Sequence, residues 1–216
     1  MNYGPNPQRE CKMLNCDERF IFVFDDFLPE WLINVIDSRM QAEPWWLGHY
    51  GDATDPNQSP IFGCDYVAMG QPTKPGYSSG KIPYVAQLAE DALQLELPNR
   101  VADWQYKSTW RIRANGQMPG QLTGEHADGT GFGHWSIVYH INDSDGPTAF
   151  FATNLETKQR EVREIEFKKG RLILFPSYYW HQAYAPTKNW RMTYGFVVIA
   201  KTPWDNELWT KSATGM

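Results

Sequence analysis

The pattern of hydrophobic and polar positions changes in character partway along the chain. Before residue 102, two stretches carry apolar residues every three or four positions, which is the period of an amphipathic helix. The first begins at Pro29 and Glu30, a favourable helix start, and the second covers residues 81–95. The predicted apolar stripes are Trp31, Leu32, Val35, Ile36 and Met40 in the first helix, and Tyr84, Val85, Leu88, Ala92 and Leu95 in the second.

After residue 102 the apolar residues come in short runs separated by turn residues, which is typical of β-strands. Predicted strands there are 104–113, 134–141, 148–153, 162–167, 171–175 and 191–200, and two earlier ones are 19–27 and 62–69. Helices followed by dense strands predict a mainly β fold with flanking helices. We expect a double-stranded β-helix (jelly roll) core at about 102–202, with the N-terminal helices packed on one sheet.

The remaining segments suggest one domain over residues 1–216, without internal repeats. Residues 1–17 are polar and predict an irregular arm, whereas 70–80 are rich in Gly, Pro and Ser and predict a loop that could act as a lid. The longest apolar runs, 20–24 and 196–200, are far too short to span a bilayer, so no membrane association is expected.

Composition narrows the class of protein. A net charge of −5 and a pI near 5.5 make nucleic acid an unexpected partner, because nucleic-acid binders usually carry a basic face. The first residues lack the apolar segment of a signal peptide, and three cysteines suit reduced thiols, so we expect a cytoplasmic protein. Cys11 and Cys16 could alternatively contribute to a zinc site, but no second cysteine pair follows them.

The candidate chemistry centres on His126, Asp128 and His181. Side chains two apart on an extended segment point the same way, so His126 and Asp128 could offer one nitrogen and one oxygen ligand together. His181 follows the run 170–177, which predicts a buried strand ending in a turn. Two imidazoles and one carboxylate form the facial triad that binds Fe(II) and leaves coordination positions open. The alternative is that His126 and Asp128 form a hydrogen-bonded surface pair in a Gly-rich turn.

A second group of residues could hold a carboxylate-bearing cosubstrate. Arg191 and Thr193 lie on one face of a predicted strand, ten and twelve residues beyond His181. The alternative for Arg191 is stacking on Trp190 at the surface. His134 and His140 are competing metal ligands, although a structural role in a barrel strand is the more common one. His49, Trp45 and Trp46 could line a substrate entrance or simply pack.

Ordered blocks of the chain resemble the Fe(II)/2-oxoglutarate dioxygenases, and in particular their prolyl 4-hydroxylase-like branch. The His126-x-Asp128 pair, His181 and Arg191 match the family's ligand and cosubstrate positions. The blocks that carry the resemblance are 22–29, 112–116, 137–143, 146–150 with its Gly-x-Thr-x-Phe pattern, and 170–177.

The resemblance implies Fe(II) held by His126, Asp128 and His181. It also implies 2-oxoglutarate as cosubstrate, with its far carboxylate on Arg191; Thr193 and Tyr139 are candidates for a further contact. The resemblance is also compatible with ascorbate as an accessory cofactor. The implied reaction is hydroxylation of a substrate C–H bond, with decarboxylation of 2-oxoglutarate to succinate and CO2. A peptidyl prolyl or other protein residue is the leading substrate, followed by a small molecule.

Departures from the family pattern refine this reading. Metazoan prolyl hydroxylases usually carry Lys at the position of Arg191, and many relatives carry Tyr at the position of Arg113. The retained Asp128 favours hydroxylation over halogenation, and residues 191–195 lack the Arg-rich run of nucleic-acid repair relatives. Two alternatives from other classes stay open: a jelly-roll (cupin-type) metalloprotein such as a zinc isomerase or binding protein, and a β domain without enzymatic activity.

Overall fold

The computed structural model describes residues 18–43, 45–49, 57–68, 71–72, 84–129, 133–153 and 160–205. The predicted arm, Cys11, Cys16, most of the loop 70–80 and the side chain of His49 lie outside the described residues.

A short 3-10 helix, Glu18–Phe20, comes first. The α-helices are α1 (Glu30–Met40) and α2 (Tyr84–Arg100). The strands are β1 (Phe22–Phe24), β2 (Trp46–His49), β3 (Ile61–Ala68), β4 (Gln71–Pro72), β5 (Gln105–Gln117), β6 (His134–His140), β7 (Thr148–Thr153), β8 (Arg160–Ile165), β9 (Leu172–Pro176), β10 (His181–Ala183) and β11 (Arg191–Lys201).

Two antiparallel sheets make up the β architecture. The major sheet has the strand order β1-β9-β6-β11-β5-β3-β2, with β4 paired to β3, and the minor sheet has the order β10-β7-β8. Sequence neighbours are therefore distributed over both sheets, as the connections of a jelly roll require. This arrangement confirms the predicted mainly β, double-stranded β-helix fold. The major sheet also recruits β1, β2 and β3 from outside the predicted 102–202 core.

The central strands of the major sheet have two different faces, because side chains alternate along a strand. One face carries Ile112 and Ala114 of β5 and Phe196 of β11, which pack in the main core together with the buried residues of α1 and α2. This confirms that the helices cover one sheet. The opposite face carries Val138 of β6 and Thr193 of β11, which line a cleft beside the minor sheet.

The helices form where the sequence predicts them, but their buried stripes differ. In α1, Trp31 and Val35 are exposed, at 62% and 39%, and Ile33 is buried in their place. In α2, Leu95 is 73% exposed, while the buried positions include Ala86, Ala89, Leu93 and Leu97. The predicted stripes were wrong at these positions because apolar residues on several sides of a short helix fit more than one rotation of the helix.

Most predicted strands of the second half are confirmed, and 148–153 matches β7 at both ends. The short strands β2, β4 and β10 were not predicted, since two to four residues carry too little periodicity. The predicted strand 19–27 is reduced to β1, because a 3-10 turn precedes it and Asp26 has φ 49°. None of the described helices is long and apolar enough to cross a membrane.

The turn before β9 fixes how the N-terminal part meets the major sheet. Gly170 has φ +79°, a conformation that L side chains rarely adopt. Its N–H donates to the carbonyl of His140, and its own carbonyl accepts from the N–H of Phe27. A Cβ at Gly170 would lie 2.9 Å from Cδ1 of Ile33 in α1. The turn therefore requires glycine for its backbone and for the close approach of the helix.

Candidate metal centre

His126, Asp128 and His181 converge at one end of the cleft between the sheets. One ligand atom from each residue lies within 4.8 Å of the others. The Nε2 atom of His126 is 3.9 Å from Oδ1 of Asp128, and the Nε2 atom of His181 is 3.7 Å from Oδ2. Three potential ligands of the predicted types therefore face a common point, which the sequence pattern of His126-x-Asp128 alone did not establish.

The backbone sets which nitrogen of each imidazole is available. Nδ1 of His126 lies 3.1 Å from the carbonyl of Gly124, and Nδ1 of His181 lies 3.0 Å from the carbonyl of Tyr179. A carbonyl only accepts, so each Nδ1 carries a proton and Nε2 is the nitrogen left for a metal. Burial lowers the pKa of His181 to about 4, so its ring is neutral near pH 7. Both Nε2 atoms face Asp128, as a shared metal site requires.

Asp128 stays ionised inside the cleft. Burial alone would raise its pKa, but the positive charge of Arg111, the nearby histidines and a hydrogen bond from Ser136 together outweigh burial and hold the pKa well below its usual range. The Ser136 hydroxyl donates to Oδ2 at 2.7 Å, and its own Oγ lies 2.9 Å from Oγ of Ser177. A negatively charged carboxylate with a fixed orientation is what a divalent metal site needs.

A backbone bridge joins the two histidine segments. The N–H of His126 donates to the carbonyl of His181 at 3.0 Å, and the N–H of His181 donates back at 2.9 Å. His181 is the first residue of β10, which pairs with β7 through Phe150. The ring centroids of the two histidines are 4.4 Å apart. The minor sheet thus positions both imidazoles.

Arg191 lies deeper in the same cleft and is 4% exposed. Its Nε donates to the carbonyl of Gly146 at 3.0 Å, and its Nη2 donates to Oγ1 of Thr148 at 2.8 Å. Its guanidinium carbon lies 4.9 Å from the ring centroid of Phe167. Burial lowers its pKa to about 9, so it remains a cation near pH 7. No described carboxylate forms an ion pair with it, and the stacking of Arg191 at the surface is excluded by its burial.

The segment 146–150 holds this arginine in place. A Cβ at Gly146 would lie 2.6 Å from the carbonyl oxygen of Tyr184 and 3.3 Å from Cδ of Arg191, so only glycine leaves room there. Thr148 supplies the hydroxyl that accepts from Arg191, and Phe150 packs beside His181 at a centroid distance of 5.9 Å. The Gly-x-Thr-x-Phe pattern therefore links the arginine to the metal ligands.

Of the two candidates for a further cosubstrate contact, the structure brings only Thr193 to the cleft. Thr193 is buried and lines the cavity beside Arg191. Tyr139 pairs with Tyr194 and is buried in the helix-facing core, on the opposite face of β6 from Val138. The assignment of Tyr139 to the cosubstrate is therefore corrected: strand alternation turns its side chain away from the site.

His140 occupies the cleft side of β6 instead, opposite Thr193. The N–H of Lys168 donates to its Nδ1 at 3.2 Å, which leaves the ring proton on Nε2. This Nε2 is buried and has no hydrogen-bond partner among the described residues. The ring stacks on Phe167 at 3.9 Å, the same ring that Arg191 approaches. His140 is thus a buried donor beside the arginine rather than a metal ligand.

Sequence reasoning missed two residues that contact Asp128. Ser136 lies on the same face of β6 as Val138, and Arg111 of β5 forms an ion pair with Oδ1 of the carboxylate. Their spacing relative to Val138 and Asn115 follows strand alternation, so a known strand register would have found both. Arg113, which the sequence singled out, forms an ion pair with Asp65 instead and does not line the cavity.

The remaining candidates have structural contacts. The His134 ring lies against Trp110 at a centroid distance of 5.7 Å and is not part of the ligand cluster. The indole N–H of Trp45 donates to the carbonyl of Met40 at 2.8 Å, and the ring packs on Trp190 at 5.2 Å. Trp45 therefore joins α1 to the sheet. This is the packing role that the sequence left open beside a place at a substrate entrance.

Together, the double-stranded β-helix and the His-Asp-His cluster at the cleft define the structural class: this is the fold of the 2-oxoglutarate/Fe(II) oxygenases. No protein-family model matches the sequence, and no curated protein matches it. Solved structures do match, so the relationship is detected through the fold.

Three of these structures show how far the similarity of fold extends. The chain resembles a Burkholderia pseudomallei oxidoreductase of the 2OG-Fe(II) oxygenase family, with a TM-score of 0.61 and 14% identity over 84% of this chain and 86% of the other. It resembles a Pseudomonas putida prolyl-4-hydroxylase, with a TM-score of 0.53 and 15% identity over 83% and 91%. It also resembles HygX from Streptomyces hygroscopicus, solved with nickel, 2-oxoglutarate and hygromycin B bound, with a TM-score of 0.54 and 10% identity over 93% and 88%. The expected fold, including its likeness to prolyl hydroxylases, is confirmed.

Proposed function

We propose that this protein is an Fe(II)- and 2-oxoglutarate-dependent dioxygenase that hydroxylates a C–H bond of its substrate. One oxygen atom of O2 enters the substrate as a hydroxyl group and the other enters succinate, while the 1-carboxylate of 2-oxoglutarate leaves as CO2. The observation that carries this proposal is the coexistence, in one cleft, of a ready set of three metal ligands and a buried cation without a described carboxylate partner.

The residues fit the metal that this chemistry needs. His126, Asp128 and His181 would hold Fe(II) through two imidazole nitrogens and one carboxylate, a set that leaves positions open for the cosubstrate and oxygen. When bound, the iron supplies the activation of O2. The two Nε2 atoms that face Asp128, and the ionised Asp128 itself, support this assignment.

The cosubstrate would be oriented by the cation and its neighbours. A guanidinium donates hydrogen bonds in a planar fork that matches a carboxylate, so Arg191 would bind the far carboxylate of 2-oxoglutarate. Thr193 and the Nε2–H of His140 would contribute further donors, replacing the role expected of Tyr139. Phe167 and the sheet exclude water from this carboxylate, which strengthens its attraction to the arginine.

The chain's own residues also govern the metal's surroundings. Ser136 orients Asp128, and the carbonyls of Gly124 and Tyr179 orient the two imidazoles. The space in the cleft and in its open mouth together amounts to about 440 Å³. The leading substrate from the sequence, a peptidyl prolyl or other protein residue, stays an expectation, as do a small-molecule substrate, accessory ascorbate and the absence of nucleic-acid or membrane partners.

The decisive experiment adds Fe(II) to the anaerobic protein and then 2-oxoglutarate. We expect a visible metal-to-ligand band, followed in air by succinate and CO2. His126→Ala should abolish both the band and succinate formation. A protein that purifies with zinc and gives no band after iron loading would point to the cupin-type alternative, and unchanged succinate formation by His126→Ala would refute the proposed site.

We also propose that the protein works in the cytoplasm. Cys64 is a buried thiol that forms no disulfide, and burial raises its pKa to about 12, so it remains protonated and unreactive. Fractionation of cells that express the tagged chain tests this: recovery in a membrane or extracellular fraction would contradict it.

A further inference from the structure

Arg111 is a second cation in the cleft, and the proposed cosubstrate site does not use it. Its Nη2 contacts Oδ1 of Asp128, so the guanidinium lies directly beside a predicted metal ligand. Its Nε is buried and has no hydrogen-bond partner among the described residues. The side chain is nevertheless 25% exposed, so it can also be reached from the mouth of the cleft. Arg111 therefore stands between solvent and the metal position.

The charges of the loaded site leave Arg111 uncompensated. Fe(II), the Asp128 carboxylate, the doubly negative 2-oxoglutarate and Arg191 would together be neutral. Arg113, the neighbouring cation on the same strand face, has its own partner in Asp65. When Asp128 shares its charge with the metal, Arg111 retains a positive charge in a partly buried position. A partly buried cation is favourable when an anion pairs with it.

A β-bulge lies immediately before this cation in the chain and contains an aromatic residue. In the pairing of β11 with β5, Val197 lies opposite Arg111 and Val198 lies opposite Thr109, which leaves Trp110 as the extra residue. Bulges redirect side chains and are common beside active sites. Trp110 is 38% exposed, and its ring meets that of His134 at 5.7 Å with 30° between the planes.

His134 connects this aromatic pair to the metal site. It lies on the same face of β6 as Ser136, which donates to Asp128. Its Nδ1 would be 3.5 Å from a Cβ placed on Gly129, the residue that follows Asp128. This partly exposed surface has a charged end at Arg111 and an aromatic end at Trp110 and His134.

We propose that Arg111 binds the carboxylate of the primary substrate, whose apolar part lies on Trp110 and His134, and that the substrate is a small carboxylic acid. This inference rests on the proposed dioxygenase function and names its substrate class. Because Arg111 contacts Asp128 directly, the carbon atoms presented to the metal are those within a few bonds of the bound carboxylate. An internal prolyl residue has no carboxylate at that distance, whereas a free amino acid does.

The test measures binding to protein loaded with Ni(II) and 2-oxoglutarate, which does not turn over. The probes are free L-amino acids, including L-proline, and 3-phenylpropionate, each compared with its carboxamide by calorimetry and by tryptophan fluorescence. We expect at least one acid to bind tenfold or more tightly than its carboxamide. Equal binding of acids and carboxamides, or no binding of any acid, would overturn the proposal.

The variant Arg111→Gln separates recognition from a purely structural role. If Arg111 binds the substrate carboxylate, the preference for acid over carboxamide, measured on the loaded variant, should fall to about onefold. If Arg111 only orients Asp128, both probes should weaken equally and the preference should persist, which would overturn the proposal. Arg111→Lys should restore part of the preference. Lys107→Gln, an exposed cation on the same strand, is the matched control and should change nothing.

Peptide probes distinguish the source of the carboxylate. Blocked, amidated peptides that contain proline should bind more weakly than the best free acid, and tighter binding of these peptides would overturn the proposal in favour of a protein substrate. Failure of the proposed function is visible separately, because the anaerobic Fe(II) and 2-oxoglutarate band would then be missing in the unaltered protein.

Discussion

Arg191 is a cation that the folded chain buries without a described carboxylate partner, and its hydrogen bonds all go to neutral oxygens. Burying an uncompensated charge costs free energy, so a ligand that supplies the missing anion gains a strong interaction. We expect Arg191→Met to weaken 2-oxoglutarate binding about 100-fold, the loss that follows when a buried charged hydrogen-bonded pair is broken. Titration of 2-oxoglutarate into Mn(II)-loaded protein measures this.

Arg191→Lys is the conservative comparison. Lysine keeps the charge but not the planar fork, so the loss should be smaller than for methionine. Metal affinity should be unchanged in both variants, because Arg191 does not contact the ligands. Wild-type 2-oxoglutarate affinity in Arg191→Met would show that the cosubstrate binds elsewhere.

Ser136 acts on the metal through Asp128. Its hydroxyl donates to Oδ2 at 2.7 Å and so restrains the carboxylate. Residues that orient a ligand typically change metal affinity by about 10- to 100-fold when they are removed. We expect Ser136→Ala to weaken Co(II) binding about tenfold in a spectroscopic titration. The matched control is Ser144→Ala, because the Ser144 hydroxyl donates to the carbonyl of Asn189 and not to Asp128. This variant should bind Co(II) normally, and equal affinity in both variants would contradict the role of Ser136.

His140 should contribute to cosubstrate affinity through one donor. His140→Phe preserves an aromatic ring against Phe167 but removes the Nε2–H. Because one hydrogen bond to a charged group is worth about 1.5–3 kcal/mol, we expect 2-oxoglutarate to bind about tenfold more weakly. The matched change Tyr139→Phe removes a hydroxyl on the opposite face of the strand and should leave 2-oxoglutarate affinity as it is. A loss in Tyr139→Phe alone would restore the original assignment.

At the scale of elements, the turn before β9 offers a comparison between two glycines. Gly170 and Gly120 both have φ +79°, so alanine meets similar backbone strain at each, on the order of 1–2 kcal/mol. A Cβ at Gly120 has no atom within 4 Å, whereas at Gly170 it would lie 2.9 Å from Cδ1 of Ile33. We expect Gly170→Ala to lower the free energy of unfolding by about 1 kcal/mol more than Gly120→Ala, from overpacking. Urea denaturation measures both, and equal losses would show that α1 adjusts freely.

The sequence predicted elements well where a long run of residues repeats one pattern. The strand 148–153 and the two helices follow from such runs. Which apolar residues of each helix are buried was harder to predict, because Trp31 and Leu95 are apolar yet exposed. Three-residue β10, which carries His181, has no periodicity to detect. Its position depends on pairing with β7, a contact that lies far away in the chain.

Motif spacing singled out His126, Asp128, His181 and Arg191, which the structure brings together in one cleft, but it did not single out their neighbours. β6 is buried almost throughout, so its burial does not alternate, and the sequence does not tell which face meets the cleft. The prediction of Tyr139 was therefore wrong, because His140 lies on the face of β6 that meets the cleft. Arg111 was not predicted for a related reason. Only the register of β5 against β11 shows that it shares a face of the sheet with Thr193.

For the whole molecule, buried neutral histidines should make stability depend on pH. Burial lowers the pKa of His181 to about 4, and burial with the charges of Arg191 and Arg171 lowers that of His140 well below its ordinary value. In the unfolded chain histidine titrates near pH 6.5. The unfolded state therefore binds more protons below that pH, and stability is lost as the pH falls from about 6.5 toward 4.

Metal-free protein in the presence of a chelator provides the measurement. We expect the free energy of unfolding in urea to be lower at pH 5 than at pH 7, with a slope approaching 1.4 kcal/mol per pH unit for each such histidine. His140→Phe should reduce the slope because it removes one titrating group. A profile that is flat over this interval, or an unchanged slope in the variant, would contradict buried neutral histidines.

The paired backbone hydrogen bonds between His126 and His181 have a consequence for loss of the proposed metal. These residues are far apart in sequence, and the hydrogen bonds that join them use backbone atoms, not the side chains that would hold iron. Loss of the proposed iron would therefore leave these hydrogen bonds intact, and the polypeptide would stay folded and take up iron again. We expect both amides to exchange slowly with deuterium in the demetallated protein, and recharging with iron to need no refolding.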